Sequence, residues 1–209
     1  MSRASFLRLF PTPRYMAMPA VGIDISDQSV KFTKLSLKGE RVVIERYGER
    51  TIPVGTIESG AVRNQEALVK VLAELKAEYH LTEVVASLPE EEAYIVRLNL
   101  PVKKSSEIRD SVELQLEEYV PLPPTEAVFD HEIIDAPKTE EGNYEIVVSA
   151  IPKKTVSTYT EAFAAAHLRP VAFEVEAQAI ARAVVPTGED RVVMLVDFGK
   201  TRPSFVITS

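Results

Sequence analysis

The sequence predicts an α/β fold into which a second small α/β unit is inserted, and three observations support this prediction. Near the N-terminus, VGIDISDQSVKFTKLSL alternates apolar and polar residues around the turn Ser26-Asp27-Gln28, which is typical of a β-hairpin. Later segments place apolar residues at helical spacing, separated by short strand-like runs. A second series of strands and helices follows Pro89, which indicates that another unit interrupts the first.

The composition is typical of a globular protein and argues against several classes of function. The 209 residues, 45% of them hydrophobic, can bury one sizeable core or two smaller ones. The net charge of −7 argues against a nucleic acid or an anionic membrane as the main partner. The sequence has no cysteine, which excludes disulfides and thiolate metal sites and fits a reducing compartment. His80, His131 and His167 lack ligand spacing, so no histidine metal site is predicted.

The predicted hairpin contains a carboxylate, Asp24, in a strand that we expect to be buried on both faces. Such a carboxylate is costly unless it meets a cation, a metal or hydrogen-bond donors. One interpretation is a capped turn, in which Asp24 accepts hydrogen bonds from loop amides. The other is a phosphate loop, in which turn amides hold an anion, Asp24 orients a hydrated metal and Lys31 neutralises charge.

The other elements of the first unit follow in order. A third strand is predicted over 42–47, after a turn at Lys38-Gly39. Asn64 is placed to cap a helix with an apolar stripe over 68–79. A short buried strand over 84–88 completes this unit.

Residues 90–170 predict a compact β-α-β-β-α-β insert. Its first strand spans 94–100, Ser105 or Ser106 is placed to cap its first helix, and Pro152 marks the start of the second. The other predicted parts are strands over 127–136 and 144–151, a helix stripe of Ile108, Val112, Leu116 and Tyr119, and a second stripe of Val156, Tyr159, Phe163 and Ala166. We expect the closing strand over 171–175 to return to the sheet of the first unit.

The last part of the chain predicts a short helix over 176–184 and a linker over 186–190. A fully buried strand over 192–196 then leads into Asp197-Phe198-Gly199, and a final strand is predicted over 205–208. We therefore divide the chain into a tail (1–19), a first unit (20–89), the insert (90–170), a return strand with a connecting helix (171–190) and a last segment (191–209).

The first hairpin resembles the first phosphate-binding loop of the actin-like ATPase superfamily, with Gly22, Asp24 and Lys31 at the matching positions. Asp197-Phe198-Gly199 resembles the second loop. Both depart from the pattern, since Ser26-Asp27 stands where Gly-Ser is usual and Lys200 begins a bulkier stretch. The resemblance implies an actin-like, ribonuclease H-like first lobe with the second lobe missing or truncated. It also implies a degraded nucleotide site that consists of Asp24, Ser26, Asp27, Ser29, Lys31, Asp197, Gly199 and Thr201. Asp24 and Asp197 are expected to hold a metal through water, in a full-length form only.

Five phrases, in order, resemble the PilM family of type IV pilus assembly proteins, which belongs with FtsA to one branch of the superfamily. They are VGIDISDQSVKFTKL, IPVGTIESGAV, VVASLPEEEAYIVRLNLP, QLEEYVPLPPTEAVFDHEII and RPVAFEVEAQAIARA. The resemblance implies a cytoplasmic protein, peripheral to the inner membrane, that binds the N-terminal peptide of a PilN-like inner-membrane protein and links it to other pilus assembly proteins. It implies a groove between the first lobe and the insert, for which the chain order suggests Pro53, Gly55, Ile57, Gly60, Tyr94, Val96 and Arg97.

Several alternatives remain open at this point. The prolines and glycines over 53–60 are equally typical of ordinary turns, and Arg97 is expected to pair with Glu90–Glu92 unless it contacts a partner. The tail either packs back on the domain or anchors the chain to a membrane or partner. Rival functions are an actin-like ATPase or kinase lobe and an FtsA-like cell-division protein. ATP and Mg²⁺ are expected only in a full-length form, and this fragment is expected to bind neither and to catalyse no reaction.

Overall fold

The computed structural model describes residues 20–38, 41–101, 104–135, 143–186, 188–200 and 203–208. Its strands are β1 (Val21–Ile25), β2 (Ser29–Lys38), β3 (Arg41–Thr51), β4 (Ile57–Glu58), β5 (Ala61–Val62), β6 (Glu83–Leu88), β7 (Tyr94–Leu100), β8 (Ala127–Asp135), β9 (Tyr144–Pro152), β10 (Arg169–Val175), β11 (Val193–Phe198) and β12 (Pro203–Thr208). Its α-helices are α1 (Gln65–Tyr79), α2 (Ile108–Tyr119), α3 (Lys153–Ala165) and α4 (Glu176–Val184). The predicted tail, the glycine of the turn at 38–39 and Thr201 lie outside the described residues.

The largest sheet, which we call the first sheet, has the strand order β10-β6-β1-β2-β3. β1, β2 and β3 are antiparallel neighbours, and their register sets Asp24 opposite Lys31. β6 pairs in parallel with both β1 and β10. Parallel strands need long crossover connections, which α1 supplies before β6 and which the insert and α3 supply before β10.

The main hydrophobic core lies between the first sheet and the helices α1 and α3. Val21, Ile23 and Ile25 of β1 are buried in this core, whereas Gly22 is exposed and Asp24 is half-buried. The expectation that β1 is buried on both faces is therefore wrong. Burial alternates along β1 because α1 and α3 pack against one face of the sheet.

Helix α1 has the cap and the apolar stripe that the sequence predicts. The Asn64 side chain accepts a hydrogen bond from the Ala67 N–H at 3.0 Å, which satisfies one of the free donors at the helix start. Four apolar side chains of one helix face are buried in the main core: Leu68, Val71, Leu72 and Leu75. The helix ends at His80, whose backbone is left-handed with φ at 56°.

The insert has its own sheet, with the strand order β7-β9-β8, and its own core against α2. The predicted serine cap is wrong, because Ser105 lies in a 3₁₀ turn (Ser105–Glu107) and α2 begins at Ile108 without a side-chain cap. Tyr119, expected on the buried face, is 47% exposed, and Val120 just beyond the helix end is buried instead.

The buried face of helix α3 packs in the main core of the first sheet and not in the core of the insert. Its buried residues Tyr159, Ala162 and Phe163 belong to the main core together with Ile151 at the end of β9. β10 then pairs with β6, as we expected for the closing strand. The predicted β-α-β-β-α-β series therefore divides between two cores, and the unit that we call the insert below consists of β7, α2, β8 and β9.

The last described elements, β11 and β12, form an antiparallel hairpin in which Val196 pairs with Phe205. The expectation of a fully buried strand is wrong, since Met194 and Val196 are exposed and Phe198 is 83% exposed. β11 pairs with β12 alone in the described part of the chain, and a two-stranded hairpin by itself buries little apolar surface. None of the helices described is long and apolar enough to cross a membrane.

Candidate functional site

The two turns that resemble phosphate loops lie together around one pocket of about 320 Å³, which we call the turn pocket. The first hairpin contributes the β1–β2 turn, and the β11–β12 hairpin contributes its own turn. Seven of the eight residues predicted for the nucleotide site line this pocket: Asp24, Ser26, Asp27, Ser29, Lys31, Asp197 and Gly199. Residues 24–31 and residues 197–199 are far apart in the sequence, and the fold brings these two groups together around one pocket.

The β1–β2 turn uses its own polar groups to close. The Ser26 N–H donates to the Ser29 carbonyl oxygen at 2.9 Å, and the Ser29 N–H donates to the Ser26 hydroxyl at 3.2 Å. Because Ser29 is buried and its amide is already used, that donor is not free to bind an anion. This turn is therefore less suited to hold a phosphate than a turn with free amides.

Asp27 caps a neighbouring turn. Its two carboxylate oxygens accept hydrogen bonds from the Ser59 N–H at 3.1 Å and the Gly60 N–H at 3.2 Å. Both donors have left-handed backbones, with φ at 52° and 76°. Asp27 thus joins the first hairpin to the β4–β5 turn, which gives a structural reason for the aspartate that departs from the actin-like pattern.

Asp24 has a partner that neither sequence interpretation named. The Ser87 hydroxyl of β6 donates to Asp24 Oδ1 at 2.7 Å, and Lys31 lies opposite Asp24 in the β1–β2 register. A hydroxyl and a neighbouring cation offset the cost of a half-buried carboxylate. A serine at the carboxyl end of a neighbouring parallel strand is the signal that could have identified this partner.

Glu176 is the functional candidate that the sequence reasoning missed. It is the first residue of α4, directly after β10, and it lines the turn pocket. Burial raises the pKa of the Glu176 carboxyl to about 7, and the charges of Asp24, Glu90 and Asp197 add to this effect while Lys31 opposes it. The available signal in the sequence was a carboxylate that directly follows a predicted strand and begins a predicted helix.

The turn pocket therefore combines several carboxylates with Lys31 and Lys200. Carboxylates beside one another repel a bare phosphate unless a cation lies between them. In the described part of the chain, no three His, Cys, Asp or Glu side chains are grouped closely enough to hold a metal directly. Metal binding through water by Asp24 and Asp197 stays a prediction.

The residues predicted for the peptide groove do not form one open cleft. Ile57 is 3% exposed and packs in the main core, so its side chain offers no surface to a peptide. Gly60 is also buried, and its carbonyl oxygen accepts a hydrogen bond from the Tyr159 hydroxyl at 2.9 Å. Pro53 and Gly55 are exposed in the loop before β4.

The predicted residues of β7 also have other roles. Tyr94 and Val96 are half-buried and pack on the core of the insert. Arg97 pairs with Glu145 of β9, with Nε and Oε1 2.5 Å apart, and not with the expected Glu90–Glu92. The two strands are neighbours in the insert sheet, which explains the pairing.

A larger cavity, of about 650 Å³, lies between the first sheet and the insert, and we call it the groove. One wall contains β10, one of the two outer strands of the first sheet, with Gln178 and Arg182 of α4. The facing wall contains β8, one of the two outer strands of the insert sheet. None of the seven residues predicted for peptide binding lines it. Three of them lie on β7, which is also an outer strand of the insert sheet, but the sequence does not reveal that β8 is the outer strand beside the first sheet.

The fold and the two facing turns define an actin-like lobe with an inserted α/β subdomain. The sequence matches the model of a known family over residues 22–209, and the chain belongs to that family, type IV pilus assembly protein PilM.

Solved structures similar to this chain include the following two. One is a PilM-PilN type IV pilus biogenesis complex, with 25% identity and a TM-score of 0.79 over 91% of this chain. The alignment spans 58% of that chain. The other is the cytoplasmic domain of EpsL, an inner membrane component of the type II secretion system of Vibrio cholerae. It has 10% identity and a TM-score of 0.57, with 90% of this chain and 70% of that chain covered, and it supports the fold alone.

Proposed function

We propose that this chain binds the extended N-terminal peptide of a PilN-like inner-membrane protein in the groove between the first sheet and the insert. The observation that carries the proposal is the groove itself, whose walls contain the outer strands of two different sheets. The similar solved structure is a complex of PilM with PilN, which supports the choice of partner. The proposal moves the site from the loop over 53–60 and the strand β7 to β8, β10 and α4.

The groove has the properties that an extended peptide needs. Outer strands offer backbone donors and acceptors to an added strand, while apolar pockets select its side chains. Val128 of β8 and Ala172 of β10 are exposed in the groove, and Val85 and Leu88 of β6 lie deeper. Burying one apolar side chain contributes about 1.5–3 kcal/mol, so two anchors with backbone hydrogen bonds suit a Kd of about 1 μM.

In this proposal the chain is cytoplasmic and lies at the inner membrane through its partner. By binding a peptide that continues into a membrane protein, it connects that protein to the other pilus assembly proteins. The net charge of −7 gives no reason to add a nucleic acid to these partners.

The test is binding of a fluorescent peptide containing the first 25 residues of a PilN-type inner-membrane protein from the same organism, measured by anisotropy. We expect a micromolar Kd for the wild-type chain. Ala172→Trp places a large side chain in the groove and should weaken binding at least tenfold. Leu114→Trp, at a position on α2 that is 85% exposed and outside the groove, is the matched control and should leave the Kd unchanged. Equal binding by wild type and Ala172→Trp, with both folded by circular dichroism, would place the site elsewhere.

A second candidate function is nucleotide binding in the turn pocket. It is favoured by the convergence of Asp24, Lys31 and Asp197 on one pocket, as expected for an actin-like ATPase. The closed β1–β2 turn and the acidic neighbours of Glu176 weigh against strong binding by this chain alone. ATP with Mg²⁺ therefore remains a proposal for a longer form of the protein.

A further inference from the structure

The wall of the groove that β8 forms has a regular pattern of side chains. Val128, Asp130 and Glu132 alternate along this strand, all three are exposed, and all three line the groove. Residues two apart in a strand point to the same face, so one apolar and two acidic side chains stand in a row on one wall.

The charges of this row are not balanced within the described part of the chain. The groove has two arginines, and both have other contacts. Arg182 pairs with Glu174 at 2.6 Å, and the Arg109 guanidinium lies 4.9 Å from the centre of the Phe129 ring. Asp130 Oδ1 accepts a hydrogen bond from the His131 N–H at 2.9 Å, and in the described residues neither Asp130 nor Glu132 has an ion-pair partner.

We infer that the peptide adds to β8 as a further strand and places a lysine or arginine beside Asp130 or Glu132. This inference rests on the proposed function and specifies the chemistry of its partner. Side chains directly opposite on neighbouring antiparallel strands lie about 4.5–5.5 Å apart at Cβ, close enough for an ion pair. The row of β8 therefore selects a peptide whose cation is two or four residues from an apolar side chain that packs on Val128.

The other outer strand, β10, does not make the same selection. Its groove-lining carboxylate, Glu174, is already paired with Arg182, and Ala172 beside it is uncharged. A peptide added to β10 would gain little from carrying a cation. The charge dependence of binding therefore distinguishes the two strands.

The experiment combines changes in the protein and in the peptide. The probe is the fluorescent PilN-type peptide, compared with a form in which its lysines and arginines are replaced by glutamine. The protein variant is Asp130→Asn with Glu132→Gln. Glu113→Gln with Glu117→Gln on the exposed face of α2 changes the net charge equally outside the groove and is the matched control.

We expect the β8 double variant to weaken binding of the charged peptide about five- to tenfold and to reduce its dependence on salt between 50 and 300 mM NaCl. The neutral peptide should bind wild type about as weakly as the charged peptide binds the β8 double variant. The double variant should not weaken binding of the neutral peptide any further. Hydrogen exchange should slow over 127–135 on binding and change less over 169–175.

The outcomes separate this inference from the function on which it rests. If the charged peptide binds wild type and the β8 double variant equally, the inference is wrong and peptide binding in the groove stands. Slower exchange over 169–175 alone would also overturn the inference, because the added strand would then lie on β10. If wild type binds neither peptide, the proposed function and the inference both fail.

Discussion

Replacing Glu176 by glutamine should stabilise this protein at neutral and alkaline pH and have little effect in acid. The carboxyl of Glu176 has its pKa raised from the ordinary 4.5 to about 7, first by burial and then by Asp24, Glu90 and Asp197. Because the folded-state pKa lies above the unfolded one, the folded state binds this proton more tightly. The associated stability is complete below pH 4.5 and is lost as the pH rises to about 7.

The size of the effect follows from this shift and from two corrections. A change from 4.5 to about 7 corresponds to at most about 3.4 kcal/mol lost above pH 7. Glu176 is only half-buried, so solvent screening reduces this to about 1.5–2 kcal/mol. Glu176 also lies in the first turn of α4, where a negative charge contributes about 0.3–1 kcal/mol. The net gain expected for Glu176→Gln at pH 8 is therefore about 1 kcal/mol.

Urea unfolding followed by circular dichroism at pH 5, 6, 7 and 8 measures this gain. We expect the free energies of unfolding of wild type and Glu176→Gln to be similar at pH 5 and to diverge up to pH 8. Glu161→Gln, on the exposed side of α3, is the matched control for loss of one carboxylate. A difference that is the same at every pH, or a variant less stable than wild type at pH 8, would refute the reasoning about Glu176.

Three further predictions concern the two turns and the turn pocket. Asp27→Ala removes the acceptor of the Ser59 and Gly60 amides and should lower the free energy of unfolding by about 1 kcal/mol in urea; an unchanged value would show that water replaces the carboxylate. Tyr159→Phe leaves the buried Gly60 carbonyl without this donor and should cost about 1–2 kcal/mol, whereas Tyr119→Phe at an exposed position should cost almost nothing. ATP with Mg²⁺ should give no measurable heat of binding in calorimetry, because carboxylates surround the turn pocket; micromolar affinity would revive the ATPase interpretation.

Local patterns in the sequence were sufficient to predict most of the helices and strands. The first hairpin, the Asn64 cap, the stripe of α1 and the bounds of α4 depend on residues a few positions apart, which fix backbone conformation and the face that is buried. Seven residues of the turn pocket were also predicted, because motifs that resemble known loops name side chains without needing their positions in space, whereas Glu176 lies outside those motifs.

Only the tertiary structure decided which surfaces meet. The apolar stripe of α3 is compatible with burial in the core of the insert or in the core of the first sheet. A stripe shows which helix face is buried but not which element it packs against. The spacing of apolar residues also does not determine the order of strands within a sheet. The sequence therefore did not show that β8 and β10 are outer strands and form the groove. Ile57 and Glu176 also depend on contacts that the sequence does not reveal. Chain order suggested a surface position for Ile57, which is buried. The pKa of Glu176 is raised by burial and by carboxylates from distant segments of the chain.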